Sequence, residues 1–157
     1  MSHAVTEKLN QQLSTALMGL LVKAEAKAVF LCDRGGNILS HSCSENYSHE
    51  DNIAALASGS FYATRVLASL LGEAEFRHAI HQGAETSMYM QTMECDLLVL
   101  VVFGKESNPG LVKLYCQESC QEIDRLMAEH ANDIQAGGGH AVKFEMDDTK
   151  QLFTRAK

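Results

Sequence analysis

Val5, Leu9, Leu13, Ala16, Leu17, Leu20 and Leu21 recur at steps of three and four, with Glu7, Lys8, Gln11 and Gln12 between them. That spacing predicts an amphipathic helix over residues 4–23. The period then changes. "KAVFLCD" (27–33) is β-branched and aromatic, "RGGN" supplies turn chemistry, and "ILSHSC" (38–43) returns alongside, which predicts a hairpin. A polar loop, "SENYSHED", leads into a second helix with Ser48 or Asp51 as N-cap and Gly72 as stop signal. Phe76 to His81 reads as a short extended piece. "TSMYMQTM" (86–93) places Met88, Met90 and Thr92 on one face of a strand and Tyr89, Gln91 and Met93 on the other. "DLLVLVVF" (96–103) is apolar on both faces and belongs at the centre of a sheet. After the turn "KESNPG", "LVKLYCQE" (111–118) alternates Val112, Leu114 and Cys116 with Lys113 and Tyr115, which predicts the last strand of a meander. Ser119 and Glu122 have capping-box spacing ahead of Ile123, Leu126, Met127, His130 and Ile134, so a third helix is expected to about residue 133.

Hairpins and meanders build antiparallel sheets, so the order helix, hairpin, helix, meander, helix predicts an α+β fold. The expectation is one domain over residues 1–134, a five-stranded antiparallel sheet sandwiched by three helices. "AGGGH" then predicts a flexible linker, and residues 135–157 an appended tail with Val142, Phe144 and Met146 in alternation and two aspartates.

The second helix has too few charges. "NIAALASGSFYATRVLASLL" (52–71) carries Arg65 alone. On a helical wheel Ile53, Leu56, Ser60, Ala63, Thr64, Leu67, Leu70 and Leu71 fall within about 120° and are expected to face the sheet. The remaining circumference holds Ala54, Ala55, Ser58, Phe61, Tyr62, Arg65, Val66, Ala68 and Ser69, small residues with two aromatics and an arginine. A solvated face would carry Glu and Lys pairs, whereas aromatics and arginine are enriched where proteins anchor partners. This face is therefore the expected contact surface. The plainer alternative is that a loop or helix one covers it within the same chain.

Composition narrows the chemistry. The chain has 157 residues, 46% hydrophobic and 21% charged, which suits one globular core. A formal charge of −7 without any Lys/Arg cluster argues against nucleic acid. The apolar run "LLVLVVF" is too short to span a bilayer, so no membrane partner is expected. The N-terminus lacks a basic start with an apolar centre, and five cysteines have no framework-like spacing, so a cytoplasmic location is expected. Cys116 and Cys120 with His78 and His81 make a four-ligand zinc site on paper, but the cysteine spacing is wrong for one. Cys43 beside His41 and Glu45, the turn Glu94 to Asp96, "DRGGN" and the methionines Met88, Met90 and Met93 each have an ordinary structural reading. No cofactor, no metal and no catalytic residue is expected.

Taken together, "AKAVFLCDRGGNILS", "DNIAALASGSFYATRVLASLLGEAEF", "HQGAETSMYM" and "LLVLVVFGKESNPGLVKLY" resemble the roadblock/dynein light-chain family, within it the bacterial MglB-type regulators of small Ras-like GTPases. The resemblance covers about residues 24–155 and rests on the order and spacing of these segments. It implies pairing of two copies, or of this chain with a roadblock paralogue, through the long helix and the strand after it. Helix two and the strand carrying Met88 and Met90 would then make the dimer. It implies a small Ras-like GTPase as partner, stimulated to hydrolyse GTP without an arginine finger, with Arg65 a contact and not a catalyst. The tail "FEMDDTKQLF" is similar to the acidic, Phe-ended tail of that subgroup, which makes Phe144, Leu152 and Phe153 candidate tail contacts. Tyr62 and Val66 stand where the subgroup tends to have small residues, which keeps open a non-stimulating scaffold or adaptor. A small-molecule sensor of PAS-like form is a third reading.

Overall fold

A computed structural model of the protein describes residues 6–137. Helix α1 (Glu7–Lys23) is followed by strands β1 (Ala28–Cys32) and β2 (Ile38–Cys43), helix α2 (Glu50–Leu70), strands β3 (His78–Gln82), β4 (Ser87–Thr92) and β5 (Leu98–Phe103), and helix α3 (Pro109–Gly137). All pairings are antiparallel and the strand order is β2-β1-β5-β4-β3, so β1, β5 and β4 lie inside and β2 and β3 form the two edges. The expected α+β class and sandwich are present, and the meander is made by β3, β4 and β5 instead of by strands at 86–93, 96–103 and 111–118.

Strand periodicity divides the core in two. Val29 and Leu31 of β1 and Val99, Val101 and Phe103 of β5 point to one face, where they meet Leu9, Leu13, Leu17 and Leu20 of α1 and Val112, Cys116 and Ile123 of α3. Their neighbours Ala28, Phe30 and Cys32, with Leu98, Leu100 and Val102, point to the other face and meet Ala54, Ala57 and Phe61 of α2. Burial of each large apolar side chain contributes roughly 1.5–3 kcal/mol. The central strands are apolar on both faces because helices cover both.

Two elements differ from the expectation. Residues 111–118 are helical, the first turns of α3, and the fifth strand is β3, the piece expected only as a short extended segment at 76–81. The helix begins at Pro109, with Asn108 Oδ1 accepting the N–H of Leu111 at 3.0 Å. A proline at the first helical position after an asparagine cap is a start signal. Read in helical steps, Val112, Cys116, Cys120, Ile123 and Met127 form one buried stripe. The alternation of Val112, Leu114 and Cys116 is therefore incidental, and Leu114 is exposed. Ser119 and Glu122 lie inside the helix, and α3 continues past residue 133 to Gly137.

Helix α2 starts after His49, which makes no side-chain cap, so neither Ser48 nor Asp51 is the N-cap. Its stop is as expected. Gly72 has φ +81, its N–H reaches Ser69 O at 3.1 Å, and the Glu73 N–H reaches Ala68 O at 2.9 Å, a Schellman closure.

Candidate partner-binding face

Helix α2 is fixed to the sheet by the β1–β2 turn. Asp33 Oδ1 accepts the N–H groups of Gly35 at 2.9 Å and Asn37 at 3.0 Å, which closes the turn. Gly36, at φ +80, then lies so close to α2 that an added Cβ would be 2.5 Å from Ala55 Cα. Ser58 Oγ donates to the carbonyl of Arg34 at 2.9 Å. "DRGGN" is thus a clasp for α2, which explains Gly36 without any phosphate.

These contacts orient the helix opposite to the expected way. The residues against the sheet are Ala54, Ala57, Ser58, Phe61 and Ala68, with Phe61 1% exposed. Most of the arc expected inside faces out: Leu56 is 74% exposed, Leu70 79% and Leu71 66%, with Leu67 half-exposed, while Ile53 is partly buried against the α2-side core. Small residues allow the helix backbone to approach the sheet, and Phe61 fills the remaining space over Phe30 and Leu100. Periodicity located two apolar faces but could not say which was inside.

The candidate residues therefore separate. Ala54, Ser58 and Phe61 are buried in the chain's own core, and so is Met90, at the middle of a strand paired on both sides. None of these four offers a surface to a partner. Met88 is half-buried against the α2-side core, and its strand β4 is not an edge. The strand after α2 with an edge position is β3. Ala55, Ser69 and Val66 are exposed, Val66 by 69%. Tyr62 and Arg65 are half-buried at the flank of the helix. Phe144, Leu152 and Phe153 lie outside the described residues.

Tyr62 and Arg65 belong to a charged cluster at one end of the sheet. The Arg65 guanidinium lies 5.1 Å from the Tyr62 ring centroid and that of Arg34 5.5 Å from it. Arg65 pairs with Glu75 at 3.0 Å, and Arg34 with Asp96 at 2.8 Å. Burial, then the charge of Asp96, push the Tyr62 phenol above its usual range, while Arg34 and Arg65 oppose the shift. Arg34 is not a candidate from sequence, because nothing in the local pattern brings residue 34 beside residue 62.

The outward side of α2 is continuous and uncharged. Leu56, Gly59, Ala63, Val66, Leu67 and Leu70 lie along it, and a Cβ on Gly59 would meet nothing within 4 Å. The helix is long and apolar enough by composition to cross a membrane. Its composition follows from being apolar on two sides, one against the sheet and one exposed. Among the described residues, no three His, Cys, Asp or Glu side chains are grouped to hold a metal ion. Cys43 Sγ and His41 Nε2 both approach Glu50, at 3.8 and 3.6 Å, but burial and Glu50 push the Cys43 thiol up, away from a reactive thiolate.

The Roadblock/LC7 domain model matches residues 13–103, more than half of the chain. The protein belongs to the roadblock family. Gliding protein mglB from Thermus thermophilus is 27% identical, with 82% of this chain and 99% of that one covered and a TM-score of 0.76. Myxococcus xanthus MglB is 29% identical over 74% of this chain and 95% of its own, with a TM-score of 0.70. An MglB in a tetrameric arrangement is 27% identical over 82% and 98%, at 0.76. No curated protein matches the chain in sequence at a significant level. This roadblock domain is thus similar to MglB over nearly the whole length of each of those chains.

Proposed function

We propose that this roadblock protein regulates a small Ras-like GTPase in the cytoplasm, as a homodimer paired through the outward face of α2 and the open edge of β3. The observation that carries the reading is the uncharged stripe Leu56, Val66, Leu67 and Leu70, uncovered by any described part of the chain. Exposed apolar patches of this kind mark protein interfaces. Gly59 and Ala63, at the middle of the stripe, let a second helix approach closely, and β3 offers unpaired backbone groups to a sister strand. The similarity to MglB supports a small Ras-like GTPase as the class of partner.

The protein stimulates GTP hydrolysis by docking, and the GTPase supplies its own catalytic groups. Arg65, committed to Glu75 and Tyr62, acts as a contact. Single-turnover GTP hydrolysis by the cognate GTPase, with and without this protein, tests the activating role. A faster rate is expected, and an unchanged rate despite demonstrable binding would leave a scaffold. Arg65→Ala is expected to weaken binding while the rate at saturating regulator stays the same, whereas a rate collapse at saturation would make Arg65 a catalytic finger. Val66 and Tyr62 give the scaffold reading its own support, since bulk at these positions favours a different partner surface. Subunit exchange with a roadblock paralogue distinguishes it.

A further inference from the structure

Cys116 and Cys120 stand one turn apart on the buried stripe of α3, with their sulfurs 4.0 Å from each other and one thiol hydrogen directed at the other sulfur. Both are buried, and their neighbours along the stripe are the aliphatic Val112, Ile123 and Leu126. Small thiols often serve only as packing. Here a second observation adds to the pairing. Cys120 forms part of the wall of a polar cavity of about 590 Å³, together with Met93, Arg77, Gln91, Gln117 and Gln121. Cys120 therefore has an approach from solvent, with Cys116 fully buried behind it, and the Met93 thioether on that approach is also a soft group.

The protonation state selects the ligand. The hydrogen bond to Cys120 and burial hold the Cys116 thiol well above its usual range, so a ligand that requires preformed thiolates is disfavoured. A trivalent arsenical bearing oxygen brings its own base. In the step R–As=O + 2 R′SH → R–As(SR′)2 + H2O, two As–S bonds form and the As=O bond is lost. Both thiol protons leave on that oxygen as water, and arsenic stays trivalent, so neither oxidant nor reductant is needed.

We propose that Cys116 and Cys120 form a dithiol site for trivalent arsenicals, entered through the cavity beside Met93. One arsenic atom joins adjacent turns of α3 on the face that packs against the sheet. The two thiols lie on α3, away from the outward face of α2, although Arg65 and Glu75 share the wall of the entry cavity.

Phenylarsine oxide added in stoichiometric amount to the folded full-length protein tests the site by intact-mass analysis, with circular dichroism reporting the fold. A one-to-one adduct is expected, resistant to excess monothiol and reversed by dithiothreitol. Cys116→Ser and Cys120→Ser should each lose it, and Cys43→Ser should keep it. A measurement on the unsubstituted protein guards against misfolded variants: after adduct formation, unfolding and alkylation, peptide mapping should find Cys116 and Cys120 both protected. Capture retained by either serine variant, protection mapped to Cys43 or Cys95, or an adduct that forms only in denaturant would overturn the proposal.

Discussion

Gly36 carries a constraint that no other residue type meets. Its φ of +80 costs an L side chain, and its Cα faces the α2 backbone at Ala55. Gly36→Ala is expected to destabilise the fold by about 2 kcal/mol or more, from left-handed strain plus overpacking against backbone. Gly19 in α1 has nothing within 4 Å of an added Cβ, so Gly19→Ala should stabilise by about 0.5–1 kcal/mol. Urea denaturation of the two variants checks the contrast, and equal effects would refute it. His78 is a second case decided by surroundings. It stacks on Tyr89 at 5.9 Å, and burial, then the charge of Lys113, lower its pKa. The unfolded chain then binds the proton more readily than the folded one, so stability is full above the ordinary value near 6.5 and falls as pH drops through it. The loss levels off once the lowered folded value has also been passed. His78→Gln should flatten the decline in unfolding free energy between about pH 7.5 and 5.5. An unchanged slope would show that His78 does not contribute.

Among the elements, α2 shows where periodicity stops being informative. A wheel identifies faces by hydrophobic type, and both long faces of this helix are apolar. The sheet accepts the smaller one because Ala54, Ala57 and Ala68 let the helix settle closely, with Ser58 and Gly36 locking its rotation. Phe61→Ala should therefore cost about 3–5 kcal/mol. Leu70→Asp should change the unfolding free energy of the isolated chain by no more than about 0.5 kcal/mol while lowering self-association. Denaturation at low protein concentration together with sedimentation separates the two effects. A Leu70 substitution as costly as that of Phe61 would reverse the assigned orientation. Helix α3 departs from the expectation at its start for a related reason. A few residues of alternation suit a strand, and only the continued stripe from Val112 to Met127 together with the Asn108 cap discloses the helix. Helix α1 and the strands β1 and β5 are legible because their patterns are long or unambiguous, and each has one environment per face.

For the whole molecule, the sheet has two edges, and β3 is the one that follows α2. A protein that pairs there should sediment as a dimer, with the outward face of α2 protected from solvent. The tail belongs to this scale too. If residues 138–157 hold a GTPase-contacting segment, their removal should weaken binding without changing the dimer, by loss of effective concentration. Unchanged affinity on titration would assign the binding to the folded domain alone. The sequence by itself determined the class of fold, the order of most elements, the buried central strands and the family, because these depend on local hydrophobic period and on segment order. It also singled out residues 52–71 as a helix with more apolar surface than one sheet requires. Only the tertiary structure decided which side of that helix is exposed: it put Ala54, Ser58, Phe61 and Ala68 inside and Leu56, Leu67, Leu70 and Leu71 outside. That choice rests on contacts between residues distant in sequence, such as Gly36 with Ala55 and Ser58 with Arg34, which no local pattern records.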